Sequence, residues 1–363
     1  MADTRTTKPT ELRGAYITLD ASDKVLSTDS VTAAMWSGNT PTLQVFQTSS
    51  AQVTSAVKEY YTSVYQTAST GVTAAIQFDV AYNDIVGSGS IPLNALVVGT
   101  TPTRINYGSY RNLVLGDENA SFIFGNQSSS YFYCLPIERA RYKQSILPGT
   151  WTLNLSGSGA NNELVLTDDS KVNTVAQFSD AGRYYNIISG SAGVVRTTSD
   201  QSDANGWTLA SGSYGWILPD VDLLLLNAAA LDGAVVGGGI ALGTATSNGT
   251  WDDNSAKIVS ALRLSADASG SGGFTLNSKE DLSSDFIFCR AKSQEYNYSS
   301  NPSFISSSTG AILFDSFIDN PTTYITTVGL YNESAELLAV AKLSRPLEKD
   351  FTKELLVRVK LDF

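Results

Sequence analysis

Two pairs of adjacent aspartates are the residues of this chain whose types could do chemistry: Asp168 with Asp169, and Asp252 with Asp253. Two carboxylates set several ångströms apart are sufficient to hydrolyse a glycosidic bond. Adjacent residues of a strand point to opposite faces, however, so neither pair alone can flank such a bond. Both pairs stand beside Ser, Thr, Asn or Gly, which favours turns. Cleavage of a glycan by carboxylates is therefore the alternative function and not the main one.

Other motifs for catalysis or ligand binding are incomplete. Histidine is absent from all 363 residues, which excludes Ser-His-Asp and Cys-His catalysis and zinc sites built on histidine. The glycine run at 237–243 has its third glycine misplaced for a dinucleotide loop. Residues 203–206 resemble half of a calcium loop, but Gln201 and Gly212 stand where ligands are required. We predict no enzymatic activity, no cofactor and no metal.

Charge and composition narrow the class of partner. Charged residues make up 16% of the chain, well below the roughly 25% of ordinary soluble domains. The formal net charge is −11 and the pI is near 4.5, so neither nucleic acid nor a membrane is expected as a partner. Ser, Thr, Gly, Asn and Tyr fill the surface positions instead. Such a surface is typical of β-rich extracellular or virion proteins.

The sequence also bears on targeting and on the state of the thiols. Residues 1–9 are polar and contain Arg5 and Lys8, so no signal peptide is expected. The longest apolar stretch, 221–236, is interrupted by polar residues and is too short to span a bilayer. Cys134 and Cys289 each follow aromatic residues. Buried free thiols are expected there, and a disulfide between them stays open.

The end of the chain has the pattern of a β-strand. Apolar residues occupy every second position, which is the period of a half-buried strand. Segments 323–331 and 336–343 precede it, joined by a short polar loop of hairpin length. We expect all three segments to form one small antiparallel sheet and the last strand to contribute to an interface. Its alternating residues are Leu355, Val357, Val359, Leu361 and Phe363.

The fold is predicted to be mainly β, with several β-sandwich or β-barrel-like domains and few short helices. Strand-like runs alternate with loops rich in Ser, Gly and Asn along the whole chain. We divide it into an N-terminal β-rich domain at 1–130, a middle β domain at 131–220 and a C-terminal β domain at 221–363. A short helix is expected near 254–265, with Asn254 as its cap.

Two further groups of residues are candidates for an interface. Arg139, Arg141 and Lys143 alternate, so on an extended segment they would project to one side as a basic ridge. Such a ridge suits an acidic neighbouring subunit, although a solvated face with weak ion pairs is the equal alternative. Tyr296 and Tyr298 stand in a loop-like segment, where tyrosine rings pack and offer a hydroxyl to a partner.

Several of these segments resemble the VrlC-like (also written VriC-like) structural proteins of contractile-tailed bacteriophages. The likeness covers about residues 75–363 and rests on motifs in the same order and spacing. Those motifs are IERARYK at 137–143, LPGTWTL at 147–153, the segment from FCR at 288–290 to EYNYSSNPSF at 295–304, NPTTYITTVGLYN at 320–332, LAVAKLSRP at 338–346 and VRVKL at 357–361.

The resemblance implies a component of the virion, in the tail or baseplate, that is assembled in the host cytoplasm. Its partners would be other tail and baseplate proteins and further copies of itself, and it would assemble with or connect tail spikes or fibres. No activity is assigned to the family. A receptor-binding or glycan-cleaving tail spike that uses carboxylates is the alternative. The chain is shorter than long members of the family, which leaves its position in the particle open.

Overall fold

The computed structural model describes most of the chain and is mainly β. The described residues are 17, 19–49, 60–92, 100–125, 127–157, 163–173, 175–195, 214–234, 238–250, 252–269, 273–299, 301–332, 334 and 336–362. Strands account for 45% and helices for 14%. The fold class predicted from the alternating, glycine- and serine-punctuated sequence is therefore confirmed.

Twenty-one strands and four α-helices lie in the described part of the chain. The strands are β1 (Lys24–Ala34), β2 (Thr42–Leu43), β3 (Gln47–Thr48), β4 (Tyr61–Tyr65), β5 (Ile76–Asp84), β6 (Phe122–Phe124), β7 (Gln127–Ser129), β8 (Tyr131–Pro136), β9 (Ser145–Ile146), β10 (Thr152–Ser156), β11 (Glu163–Asp168), β12 (Gln177–Ser179), β13 (Gly182–Ser191), β14 (Val194–Val195), β15 (Gly215–Leu218), β16 (Leu223–Asn227), β17 (Phe274–Thr275), β18 (Asn277–Ala291), β19 (Thr323–Tyr331), β20 (Leu337–Lys349) and β21 (Leu355–Asp362). The helices are α1 (Pro102–Leu115), α2 (Ala228–Asp232), α3 (Asn254–Ser269) and α4 (Ser316–Asp319).

The chain divides into two compact units. The large unit is Val31–Glu280, and the small unit combines Met1–Ser30 with Asp281–Phe363. The three consecutive domains expected at 1–130, 131–220 and 221–363 do not coincide with this division. Strands β5, β8 and β16, one from each expected domain, are neighbours in a single sheet. Patterns along the sequence identify strands but not their distant partners, which explains the difference.

The large unit is built on one curled antiparallel sheet. Its strand order is β2-β17-β10-β11-β13-β15-β16-β8-β5-β4-β3, with β12 and β14 added beside β13. The rings of Phe274 on β17 and Phe78 on β5, far apart in that order, lie 5.7 Å apart. Trp36 packs on Phe274 at 5.0 Å. These aromatic contacts bring the two ends of the sheet together, as curling requires.

Both faces of the central strands of this sheet are buried. Helix α3 packs on β10, β4 and β5 and buries Ile258 and Leu262 in the main apolar cluster. Helix α1 covers the other face, where Tyr107 and Val114 join a second cluster. Residues Leu223–Asn227 of β16 are accordingly buried without alternation, because a strand covered on both sides needs apolar residues at every position.

The helix expected near 254–265 is confirmed as α3, but its cap is not the expected one. The Asn254 side chain accepts from Ala245 N at 2.9 Å and donates to Ala245 O at 2.8 Å, so it holds a loop. The carboxylate of Asp253 accepts a hydrogen bond from the Ala256 N–H and takes the capping role. Helix α1 was not anticipated, although Pro102 at its start and Gly116 at its end are ordinary helix signals.

The small unit contains two separate sheets. One has the order β1-β18-β21, and the other is the hairpin β19-β20. The predicted hairpin is confirmed, but the last strand pairs with β18 and not with the hairpin. Residues Ser284 to Ala291 face Asp362 to Leu355 in antiparallel register. The expected alternation is present along β21, where Val359 is buried and Leu356 is exposed.

Candidate interaction site

A cavity of about 380 Å³ lies in the small unit, beside β19 and over the sheet formed by β18 and β21. We call it the slot. Its walls come from four parts of the unit that are far apart in sequence. The residues that line it are Ile17, Leu19, Cys289, Ala291, Tyr296, residues 324–331, Leu355 and Val357.

The floor of the slot consists of two cross-strand pairs. Cys289 of β18 is opposite Val357 of β21, and Ala291 is opposite Leu355. Residues directly opposite in an antiparallel pair point to the same side of the sheet. Period-two alternation in both strands therefore places all four side chains on one face. The sequence predicted this for β21 but did not identify β18 as its partner.

The wall formed by β19 differs from the floor. All eight residues from 324 to 331 line the slot, whereas a strand that presented one face would contribute only every second residue. Residues from both faces of β19 therefore border the slot. Among the described strands, β19 pairs only with β20.

Tyr296 closes one side of the slot in an unusual backbone conformation. Its φ is 58°, a left-handed value that a bulky residue adopts at a cost of roughly 1–3 kcal/mol. The carbonyl of Tyr296 accepts a hydrogen bond from Thr323 Oγ1, and Asn297 Nδ2 donates to Ser293 O at 2.7 Å. These bonds hold the turn in place and offset its strain.

Lys349 holds the same turn through hydrogen bonds from its buried side chain. Its side chain is 0% exposed, and Nζ donates to Ser293 O at 2.9 Å, to Asn297 Oδ1 at 2.6 Å and to Asp350 O at 2.8 Å. Loss of hydration lowers the pKa of Lys349, and the three acceptors compensate the buried charge. Nothing in the sequence around Lys349 predicted that its side chain would be buried and would hold this turn.

The slot suits an uncharged, apolar group. None of its described lining residues is an acid or a base other than tyrosine and cysteine. Burial, with a smaller contribution from Asp23, raises the pKa of Cys289, so its sulfur stays a protonated thiol at neutral pH and is a poor nucleophile. The arrangement therefore binds or packs and has no group that activates a substrate.

The structure brings some of the predicted interface residues together at the slot. Tyr296 and Val357 line it, and Val359 and Leu361 lie in the adjoining apolar cluster with Ile287 and Leu330. Tyr298 points elsewhere, packing edge-on against Phe304 at 5.7 Å. Phe363 lies outside the described residues. The residues that the sequence analysis missed are Ile17, Leu19, Cys289, Lys349 and 324–331.

The predicted basic ridge is wrong, because Arg139–Arg141 forms a 3-10 turn and not an extended segment. Residues three apart share one side of such a turn, so Arg139 lies over the ring of Tyr142 at 4.6 Å and donates to its carbonyl at 3.0 Å. Arg141 donates to Ser37 Oγ. Lys143 is exposed after the turn. The three cations therefore face different surroundings.

A buried carboxylate adjoins this turn. Asp222 is 2% exposed, accepts from Ile146 N at 2.7 Å and forms a hydrogen bond with the Tyr142 side chain. Burial raises the pKa of Asp222 to about 6. Its φ of 52° is left-handed, which aspartate and asparagine tolerate better than most residues.

Replacing this group, Asp222→Asn, is expected to flatten the pH dependence of stability. A folded-state pKa above the ordinary 3.8 means that the folded protein binds the proton more tightly, so stability falls as pH rises from about 4 to about 6. The asparagine side chain keeps the acceptor for Ile146 without the buried charge, and stability at pH 7 should rise by about 1–3 kcal/mol. Urea unfolding at pH 4.5 and 7.5 measures this.

The matched control is Asp220→Asn. Arg183 hydrogen-bonds Asp220 and lowers its pKa, so this carboxylate stabilises the fold above its pKa and that contribution is lost as pH falls. Asp220→Asn should therefore lose stability at pH 7, and its change in stability should have the opposite sign to that of Asp222→Asn. If Asp222→Asn retained the full pH dependence of the parent protein, the role given to Asp222 would be wrong.

The paired aspartates accept hydrogen bonds, most of them from backbone N–H groups. Asp168 is fully buried and accepts from Gly149 N at 2.7 Å and Ser170 N at 2.9 Å. Asp169 accepts from Asn186 N and Nδ2, both at 3.0 Å, and burial raises its pKa. Asp252 accepts from Ser247 N at 3.3 Å. Through these contacts the carboxylates stabilise turns and the start of α3.

The remaining motifs are structural or fall outside the description. A Cβ on Gly239 would stand 2.0 Å from Gly233 O, so the described part of the glycine run is a close backbone contact. Residues 203–206 lie outside the described residues. Cys134 and Cys289 are both free, as expected, although only Cys134 is fully buried.

Comparisons of the chain with protein-family models, with curated proteins and with solved structures found no match. In the described part of the chain, no helix is both long enough and apolar enough to cross a membrane. Within the same residues, no group of three or more His, Cys, Asp or Glu side chains is arranged to hold a metal ion.

Proposed function

We propose that this protein is a structural component of a tailed-bacteriophage virion, in the tail or baseplate, where it assembles with or connects tail spikes or fibres. It works by stoichiometric assembly and not by turnover. It is made in the host cytoplasm and incorporated there with other tail proteins and with further copies of itself. Its net charge of −11 disfavours nucleic acid and anionic membranes as partners.

One observation carries this proposal. Three of the six motifs that resemble the VrlC-like structural proteins line the slot: 288–304 supplies Cys289 and Tyr296, 320–332 supplies β19, and 357–361 supplies Val357. These three motifs thus meet in one place. A likeness that includes the lining of a surface without charged groups favours a role in contact with other subunits.

The outer surface of the small unit supports the same role. Leu337, Leu338 and Val340 on β20 and Leu356 on β21 are each more than half exposed. Leu338 and Val340 alternate on β20 and therefore lie on one face of the hairpin, and exposed apolar side chains that lie together mark contact surfaces. Packing against neighbouring subunits in a particle would cover them.

The test is to purify intact particles and isolated tails from the phage that encodes this chain and to measure its copy number by quantitative mass spectrometry. A fixed, integral number of copies in tails is expected. A side-chain-resolution reconstruction should then place the small unit against another subunit. Tails that infect normally and contain none of the chain would contradict the proposal.

A further inference from the structure

We propose that the small unit forms its own covalent cross-link, an amide bond between the side chains of Lys349 and Asn297 that is made with release of ammonia. This bond joins the end of β20 to the turn that follows β18. It forms once in each chain and is not a turnover reaction. The inference goes beyond the proposed function and does not depend on it, because both residues belong to the small unit.

The amine and the amide are in contact. Lys349 Nζ lies 2.6 Å from Asn297 Oδ1. Because a C=O bond is about 1.23 Å long, the amide carbon of Asn297 lies within about 3.8 Å of Nζ. Two groups whose reacting atoms are held roughly 3–3.5 Å apart react as if each were present at a very high concentration. A small rotation of either side chain is enough to reach that distance.

Burial favours the neutral amine, which is the nucleophile in this reaction. Lys349 is 0% exposed and Asn297 is 4% exposed. Loss of hydration lowers the pKa of Lys349, and nearby carboxylates oppose this shift to a smaller extent. Those carboxylates are Asp350, Glu295 and Glu354. Desolvation is a recognised way to activate a lysine for attack on a carbonyl carbon, and burial also limits competing hydrolysis by water.

The carbonyl oxygen of Ser293 lies beside both nitrogens that exchange a proton. Lys349 Nζ donates to it at 2.9 Å and Asn297 Nδ2 donates to it at 2.7 Å. After losing one proton to solvent, the amine forms a bond from Nζ to the amide carbon. One of its two remaining protons passes to Nδ2, the bond from the amide carbon to Nδ2 breaks, and ammonia leaves. A secondary amide and one ammonia molecule are the products, so atoms and charge balance.

The turn that carries Asn297 is held in a strained conformation. The φ of Tyr296 is 58°, and Thr323 Oγ1 donates a hydrogen bond to the Tyr296 carbonyl. Strained backbone persists only where the surrounding structure determines it, and it is concentrated at functional sites. The folded small unit therefore keeps the amide against Nζ, which an unfolded chain cannot do.

The test is the mass of the full-length protein and of its tryptic peptides. The folded protein should be lighter than its sequence by one molecule of ammonia. Trypsin should release a branched peptide that joins 293–342 to 343–353, because an acylated Lys349 is not cleaved and the Arg345–Pro346 bond resists trypsin. Tandem mass spectrometry should place the link between Lys349 and Asn297. A linear 293–342 peptide of unchanged mass, after prolonged incubation of the folded protein, would overturn the inference.

Matched substitutions identify the two reactants. Lys349→Arg keeps a positive charge but has no amine to acylate, so the branched peptide should be absent, whereas Lys342→Arg at an exposed position of β20 should retain it. Asn297→Ala should likewise abolish the branched peptide, and Asn301→Ala in the same loop should not. Mass is the readout, and not stability, because substitutions of Lys349 also remove its three hydrogen bonds.

Other losses of ammonia are distinguished by their position. Asn205 and Asn248 each precede glycine, and cyclisation of an asparagine in that context also releases ammonia. Cyclisation leaves the peptides linear and is reversed by mild base, whereas the proposed amide is stable. A mass loss that mapped only to Asn205 or Asn248 would therefore refute the cross-link.

A final control asks whether the folded unit is required. Deleting β21 keeps Lys349 and Asn297 but removes the strand that pairs with β18, so this chain should have the full mass of its sequence. A branched peptide from the shortened chain would show that the reaction does not depend on the geometry described here, and the inference would fail. The copy number of the protein in isolated tails has no bearing on either result.

Discussion

A chain that ends at Glu354 is expected to lose the folded small unit while the large unit stays folded. Removing β21 breaks the register that joins 284–291 to 355–362 and deletes Val357, Val359 and Leu361 from the apolar cluster. A fully buried large side chain such as Val359 contributes roughly 1.5–3 kcal/mol, and the partly buried Val357 and Leu361 contribute less each. Together with the strand pairing that is lost, this approaches the lower end of the roughly 5–15 kcal/mol that stabilises an ordinary domain.

Hydrogen exchange followed by mass spectrometry measures this result. Exchange in 284–291 and 323–331 should rise to the rate of an unfolded chain, whereas strands β8 and β16 should keep their protection. The two apolar clusters of the large unit contain no residue of β21, which is why the effect should be confined to the small unit. Protection of 284–291 in the shortened chain would refute the structural role of β21.

A matched pair of substitutions on β21 separates the effect of burying an apolar side chain from the effect of removing the strand. Val359 is 5% exposed and Leu356 is 62% exposed on the same strand. Val359→Ser should cost about 2–4 kcal/mol, because it removes buried apolar surface and places a hydroxyl in the cluster. Leu356→Ser should stay within about 0.5 kcal/mol of the parent protein. Equal effects of the two changes would show that the cluster does not stabilise the unit.

Replacing the buried lysine, Lys349→Met, is expected to destabilise the small unit by about 1–3 kcal/mol. Methionine has a stem of similar length but cannot donate hydrogen bonds, so the three oxygen acceptors on Ser293, Asn297 and Asp350 would be left without Nζ. Unsatisfied buried acceptors carry the full cost of lost hydration. The strained turn at Tyr296 would lose its support, and the slot would lose one side.

The control is Lys342→Met on the same strand, since Lys342 is exposed. It should change stability by no more than about 0.5 kcal/mol. Denaturant unfolding gives the two free energies, and hydrogen exchange in 293–297 reports on the turn itself. If both substitutions had the same small effect, the three hydrogen bonds of Lys349 would not hold the turn.

Local sequence patterns were sufficient to predict the elements whose conformation depends on their own residues. Alternation identified β21, the loop after Tyr331 identified the hairpin of β19 and β20, and apolar spacing identified α3. Helix α1 was missed because its apolar pattern is sparse. Only Tyr107 and Val114 among its large apolar residues are buried, and Gly108 lies in its middle, where glycine weakens a helix.

The basic segment shows why charge spacing alone misleads. Arg139, Arg141 and Lys143 alternate in sequence, but alternation places side chains on one side only if the backbone is extended. The segment instead forms a turn in which the Arg141 N–H donates to Glu138 O at 2.8 Å. Arg139 donates to Tyr142 O, and Arg141 donates to Ser37 Oγ. Ser37 is distant from Arg141 in sequence. Tertiary neighbours therefore determined this conformation.

Composition and period-two alternation are local properties, so they were enough to predict the mainly β class, the excess of negative charge, the lack of histidine and the inward face of β21. Only the folded chain shows that β21 pairs with β18, that Lys349 supports the turn at Tyr296 and that 324–331 border a cavity. Alternation specifies which side of a strand is buried but not which strand lies beside it. The slot therefore exists only through contacts between segments far apart in the chain.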